Sequence, residues 1–335
     1  MSDRFQTIFR EYQEVSTRYD VEHEAIWLYF NPQKRPCFSS VLLREAHEIQ
    51  HAIINYFKAN RTEPKYPVRY MILASQIPGV FNLGGDLNLF VQLIVDQNRE
   101  QLFEYAKSCI DICYLNAVNL HLPLTTISLV EGSALGGGFE SAISSNVVVA
   151  ERHAQMGCPE IRFNLFPGMG AYSFLSRILG MKKTEKILQE GKVYTAAEFY
   201  DMDIVDVLAE PGKGGDAVNR FIKKHRRAGN GMRAIREVSQ FYSPISYEEL
   251  IGITKIWVDA ALRLTRKDLR TMERLVSAQN NGNYLPDMQT QSVPFLRTKQ
   301  DRRISDQDAP LSPSDESLFQ FETDRRTSSD RRLYN

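Results

Sequence analysis

The sequence predicts an α/β fold built on a mostly parallel sheet, and three observations carry that reading. Short, β-branched apolar runs such as VRYMILAS (68–75), TTISLV (125–130) and NVVVA (146–150) alternate with longer segments whose apolar residues recur every three or four positions. The segments between the runs are long enough for crossover helices, which parallel pairing requires. Glycine-rich turns stand where strand gives way to helix, at FNLGGDL (81–87) and GSALGGGFE (132–140). Periodicity takes the reading no further than α/β.

Taken in order, Ala25–Phe30 (AIWLYF) reads as the first strand, ended by the turn-forming NPQKRP. Ser39 or Ser40 caps the next helix, whose apolar stripe is Val41, Leu42, Ala46, Ile49, Ile53 and Ile54. His47 and His51 on that helix have metal-ligand spacing, but no third ligand is suggested nearby, so an ordinary pair is the expectation. After EPKYP, the strand at 68–75 enters FNLGGDL, and Leu87–Leu120 reads as a long helical segment broken at most once. The strand at 125–130 then enters the stretch Gly132–Glu160, around which the chain is organised.

In that stretch three glycines run into a helix start. Glycine lets the backbone approach a ligand, and the first N–H groups of a helix have no intrahelical partner. With the positive end of the helix dipole behind them, they suit an oxygen that gains negative charge. Glu140 lies one turn on from Gly137. Glu160 follows the strand NVVVA and a loop that returns it toward the first acid. Taken alone, GGG is a tight turn and a glutamate there complements the dipole. The second glycine loop, FNLGGDL, raises the functional reading, because one oxyanion commonly takes donors from two loops.

Beyond Glu160, RFNLFPGMGAYSFLSRILG places Pro and Gly before a helix expected near Met169, with Phe166 and Met169 walling a cavity. Thr195 and Glu198 form a capping box, followed by the strand IVDVLA (204–209) and two further helical stretches. In Ser246–Gln279 the residues Ile251, Ile256, Trp257, Leu262, Leu269, Met272 and Leu275 are expected to make one apolar face. The residues from 281 to 335 are polar, rich in Pro, Ser, Gln and Asp, with DRR triplets at Asp301, Asp324 and Asp330. Such composition does not bury enough apolar surface to offset chain entropy, so a disordered tail is expected.

GSALGGGFE, GCPE and FPGMGAY, preceded by FNLGGDL, resemble the crotonase (enoyl-CoA hydratase/isomerase) superfamily. FNLGGDLNLFVQLI, GGGFESAIS, LFPGMGAYSF, ITKIWVDAALRL and KDLRTMERLVSAQ are most similar to its diffusible signal factor (DSF) synthases, which make cis-2-unsaturated fatty acid signals for bacterial quorum sensing. The similarity runs from about the first strand to Gln279. It implies a spiral of ββα turns with a helical C-terminal region, divided as an N-terminal extension (1–20), spiral core (21–210), helical region (211–280) and tail (281–335). It implies oxyanion donors at the backbone N–H groups of Gly85 and Gly137, and catalytic glutamates at Glu140 and Glu160. FNLGGD stands where many hydratases have FxAGAD, which keeps the donor position. Leu135, Met169 and Trp257 are the acyl-pocket candidates, Trp257 because the last helix covers the pocket in the similar synthases.

The resemblance further implies a lyase that dehydrates 3-hydroxyacyl thioesters of acyl carrier protein or coenzyme A and releases the free acid, assembled as a homotrimer or dimer of trimers. A plain enoyl-CoA hydratase of fatty-acid oxidation and a protein that chiefly binds a sensor histidine kinase are the competing readings. Neither a cofactor nor a metal is expected. The 335 residues, 43% of them hydrophobic, suffice for a large core. Forty-one basic residues balance forty-one acidic ones, which argues against nucleic acid or an anionic membrane as partner. The four cysteines form no CxxC pair, and Cys158, without an evident histidine, is expected to be structural. The charged N-terminus and the absence of a long apolar run make a cytoplasmic protein the expectation.

Overall fold

The computed structural model describes residues 3–60 and 68–280, so the expected disordered tail lies outside the described residues. Ten strands are described: β1 (Val15–Asp20), β2 (Ala25–Phe30), β3 (Tyr70–Ser75), β4 (Val80–Asn82), β5 (Thr125–Val130), β6 (Ser133–Leu135), β7 (Val147–Glu151), β8 (Gln155–Gly157), β9 (Tyr194–Thr195) and β10 (Val207–Ala209). The helices are α1 (Asp3–Gln6), α2 (Ser40–Ala59), α3 (Leu87–Val95), α4 (Arg99–Ala117), α5 (Gly137–Ile143), α6 (Ala171–Leu179), α7 (Met181–Glu190), α8 (Ala196–Tyr200), α9 (Gly214–Arg227), α10 (Gly229–Tyr242), α11 (Tyr247–Ala261) and α12 (Arg266–Asn280).

Two sheets form. The larger has the order β1-β2-β3-β5-β7-β10, and the smaller β4-β6-β8-β9. Pairing is parallel except at β1–β2 and β8–β9. The expected mostly parallel sheet is therefore two sheets built from a repeat. Each of β3, β5 and β7 runs through the larger sheet, turns, and continues as β4, β6 or β8 in the smaller one. This is the crotonase-like α/β fold.

The central strands are buried on both faces, which is why they read as unbroken apolar runs. Strand period divides each between two cores. Met71 and Leu73 of β3 join the cluster under α2 and α4, while Tyr70, Ile72 and Ala74 meet Ala217, Val218 and Ile222 of α9. The caps fall where sequence chemistry puts them. Ser39 Oγ accepts from Leu42 N–H at 3.0 Å, and Thr195 and Glu198 make a reciprocal capping box. The break in 87–120 comes at 96–98, where Asn98 caps α4 by accepting from Gln101 N–H at 3.1 Å.

Several expectations change. Residues 1–20, taken as an extension ahead of the core, supply the edge strand β1, which the largely polar run VSTRYD did not signal. Glu45 ties this segment down by accepting from Gln13 and Glu14 N–H at 2.9 and 2.8 Å. The strand expected at 204–209 is shortened to Val207–Ala209, because the Asp206 side chain takes the Val148 N–H at 2.7 Å. Ile256 is 60% exposed, since α11 buries the stripe Leu250, Thr254, Trp257, Val258 and Ala261, and Ile256 lies off it.

Candidate active site

The smaller sheet positions the site. Its neighbouring strands β4, β6 and β8 run parallel, and the segment leaving each C-terminal end carries one expected residue: Gly85 after β4, Gly137 after β6 and Glu160 after β8. The repeat thus delivers three pieces of one site side by side. Glu140 adds the fourth from the first turn of α5.

The two glycine loops touch. A side chain at Gly84, where φ is +93°, would begin 2.9 Å from Gly137 N and 3.0 Å from Leu135 O, so only glycine fits both the backbone and the gap. A side chain at Gly138 would begin 1.9 Å from Asn82 O, which lets α5 start directly against β4. The Gly85 loop is anchored by Phe38 N–H to Gly84 O at 2.7 Å, Gly84 N–H to Asn82 Oδ1 at 2.8 Å, and an Arg35–Asp86 ion pair at 2.7 Å. The Tyr105 hydroxyl completes the anchor, donating to Phe38 O and accepting from Asp86 N–H. Among the described residues the Gly85 and Gly137 amides have no acceptor. Two rigidly held, unpartnered donors beside one cavity form a site for developing negative charge.

Glu140 is buried, and Glu160 is half-buried with its Oε2 atom enclosed. Glu140 Oε1 accepts from Met169 N–H at 2.7 Å and Ala171 N–H at 2.9 Å, on the entry to α6. Burial pushes the Glu140 carboxyl up to about 7, and the N–H groups of Ala171, Met169 and Gly170 hold it from going higher. Burial raises the Glu160 carboxyl well above the usual carboxylate range, and the charge of Glu140 raises it further. Glu160 Oε2 is buried without a hydrogen-bond partner. The pair therefore shares one proton, and its resting state puts the proton on Glu160 and the charge on Glu140, where amides receive it.

These groups face a narrow cavity of about 80 Å³. Seven of the eight residues expected at the cavity line it: Gly85, Gly137, Glu140, Glu160, Leu135, Met169 and Trp257. Phe166 does not line it. The 3₁₀ turn Glu160–Phe163 and left-handed Asn164 bring Phe163 and Leu165 to the wall instead. Phe90 and Tyr105 also line it, unforeseen because an aromatic residue on a helical stripe reads as core. Phe90 packs on Trp257 with ring centroids 5.1 Å apart. Burial raises the Cys158 thiol well above its ordinary value, so it stays protonated.

Elsewhere, His47 and His51 bring their Nε2 atoms to 3.0 Å. Among the described residues no three His, Cys, Asp or Glu side chains are grouped to hold a metal ion, and no helix is long and apolar enough to cross a membrane.

Comparison with known proteins adds relatives to this geometry. The sequence profile described as enoyl-CoA hydratase/isomerase matches residues 46–220, more than half of the chain. The mitochondrial methylglutaconyl-CoA hydratases of Mus musculus and Homo sapiens are each 29% identical over 153 residues, covering 46% of this chain and 46% and 43% of theirs. The putative enoyl-CoA hydratase/isomerase YngF of Bacillus subtilis is 29% identical over 190 residues, covering 57% of this chain and 67% of its own. The chain spans about half the length of the first of these curated relatives. Among solved structures, an enoyl-CoA hydratase from Bacillus halodurans superposes with a TM-score of 0.65 at 21% identity, covering 78% of this chain and all of that one. Pseudomonas aeruginosa DspI superposes with a TM-score of 0.55 at 19% identity, covering 80% of this chain and 96% of that one. At these identities the structural likeness is one of fold.

Proposed function

The chain belongs to the enoyl-CoA hydratase/isomerase family, and from that premise we propose that it adds or removes water across carbons 2 and 3 of an acyl thioester. The observation that carries this reading is the pairing of two glutamates of raised pKa with two unpartnered amides on one apolar-walled cavity.

The thioester oxygen sits between the N–H groups of Gly85 and Gly137. As charge moves from carbon 2 onto that oxygen the two donors meet an enolate, and losing one such donor typically costs about 3 kcal/mol of barrier. In the hydration direction Glu140, the charged member of the pair, takes a proton from water as it attacks carbon 3. Glu160 then delivers its proton to carbon 2. Dehydration is the reverse: Glu160 removes the proton from carbon 2, and Glu140 protonates the departing hydroxyl. Both directions use a singly protonated pair, so the proton's location, not the pair's net charge, distinguishes them.

A finer reading follows the motif similarity to the DSF synthases. After dehydration, Glu140 directs a second water at carbon 1, and the same two amides hold the oxyanion while the thiol leaves. The product is then a free cis-2-unsaturated fatty acid, and the acyl donor is a carrier protein or coenzyme A. The Glu140 anion, fixed by the amides of Met169 and Ala171, supports this water-activating role. The homotrimer and sensor-kinase partner that accompany this reading are measurable by light scattering and pull-down of the purified chain.

One experiment separates the two readings. Purified protein is given medium-chain 3-hydroxyacyl carrier protein and, separately, crotonyl-CoA. Free 2-enoic acid in the mass spectrum supports the synthase, whereas hydration of crotonyl-CoA without release of acid supports the plain hydratase. Turnover of neither substrate, nor of the corresponding coenzyme A esters, would sink the proposal.

A further inference from the structure

Five arginines and a single carboxylate, Glu237, line a second cleft of about 870 Å³, in a chain whose 41 basic and 41 acidic residues balance overall. It lies at the N-terminal ends of β3 and β5, where Tyr70 and Thr125 begin the strands, and α9 and α10 form its other wall. The glutamate cavity lies past the opposite ends of the same strands. Six residues of strand separate the two places by roughly 20 Å.

The cations here are not all neutralised. Arg69 and Arg226 share Glu24, and Arg233 approaches Glu237 at 3.6 Å. Among the described residues Arg227 has no carboxylate at ion-pair distance, and Arg236 is attracted to Asp206 without reaching ion-pair distance. Arg236 is half-buried and donates one N–H to Thr125 Oγ1 at 2.6 Å, which leaves further donors of its planar fork unused.

His225 supplies a second, independent sign of a ligand. It is 9% exposed and lines the cleft, and its Nε2 is buried without a hydrogen-bond partner. Its Nδ1 is 2.9 Å from the Tyr70 hydroxyl. Burial raises the Tyr70 hydroxyl above its ordinary value, while burial and then Arg236 lower the imidazole below its own. With the tyrosine donating to Nδ1, the ring hydrogen resides on Nε2, which is then a donor without an acceptor. A half-buried guanidinium with unused donors and an unpartnered imidazole nitrogen belong to residues that line the same cleft, and an anion would satisfy both.

We propose that this cleft binds a small molecule carrying two or more phosphate groups, held by guanidinium contacts from Arg236 and Arg227 and by Nε2 of His225. Guanidinium forks match phosphate oxygens two at a time, and several forks in one cleft match a polyanion better than a lone carboxylate. The volume lies within the range of small-molecule sites, and the neutrality of the chain as a whole argues against an extended nucleic acid.

The test is calorimetric titration of the full chain with inorganic pyrophosphate and with ADP, at low and high salt. Saturable binding of pyrophosphate is expected, weakening as salt rises. Arg227→Ala, an exposed position whose loss does not threaten the fold, and Arg236→Ala should each weaken it about tenfold or more, as should His225→Ala. Glu140→Gln should leave it unchanged, which keeps this outcome separate from the fate of the acyl-thioester reading. No saturable pyrophosphate binding, or equal affinity in the parent and both arginine variants, overturns the proposal. Binding of poly-glutamate without binding of pyrophosphate overturns it as well, by showing that the cleft takes an acidic polypeptide.

Discussion

At the residue scale, the environments of Glu140 and Glu160 divide one proton between two acids of the same type. Glu140 receives two amide hydrogens, whereas Glu160 has a buried oxygen with none. Glu140→Gln and Glu160→Gln should each lower kcat by about 10²–10⁴-fold. The double variant should fall little below the worse single one, because the two act as a unit. Steady-state rates on whichever of the carrier-protein and coenzyme A substrates is turned over check this, and additive losses would mean independent roles. The rate should rise with pH as Glu140 ionises around 7, then fall as the more strongly raised Glu160 loses its proton. A flat profile through neutral pH would contradict the shared proton.

At the scale of elements, the decisive feature is the repeat that carries each long strand into a short one. It places the segments after β4, β6 and β8 in a row, so two amides and a carboxylate converge although they lie far apart in sequence. Gly84 is the tightest joint between these segments. In Gly84→Ala the new methyl would meet Gly137 N and Leu135 O on a backbone at φ +93°. The loops must then part, and kcat should drop by roughly 10²–10³-fold, the range for losing an oxyanion donor. Circular dichroism should report the same secondary structure. An unchanged kcat with the substitution verified would mean the two amides do not act together.

At the scale of the whole molecule, the same acids make stability depend on pH. Their folded-state pKa values are raised, so the native chain binds these protons more tightly than the unfolded one. The resulting stabilisation is full below the unfolded glutamate value of about 4.3 and is lost as pH rises through the folded values. Between pH 5 and pH 8 the Tm of the parent should fall more steeply than that of Glu160→Gln. Each ~1 kcal/mol of lost stability should lower Tm by roughly 2–4 °C. Parallel curves for the two proteins, measured by calorimetry, would show that the acid is not strained by burial.

The sequence by itself determined the class of fold, the helix-capping serine and capping box, and the two glycine turns, while its resemblance to a known family pointed to Gly85, Gly137, Glu140 and Glu160, which line one cavity. Those signals are local: glycine marks a close approach of backbone, and an apolar period marks a face, wherever the rest of the chain goes. Only the tertiary structure decided that the amides of Met169 and Ala171 hold Glu140, that Phe163 and Leu165 rather than Phe166 wall the cavity, and that Ile256 faces out. It also decided that β1 closes the edge of the larger sheet and that arginines scattered along a neutral chain gather in one cleft. Such facts depend on which surfaces meet across tens of residues or more, and the energy of those meetings is carried by packing and burial, which no short run of sequence encodes.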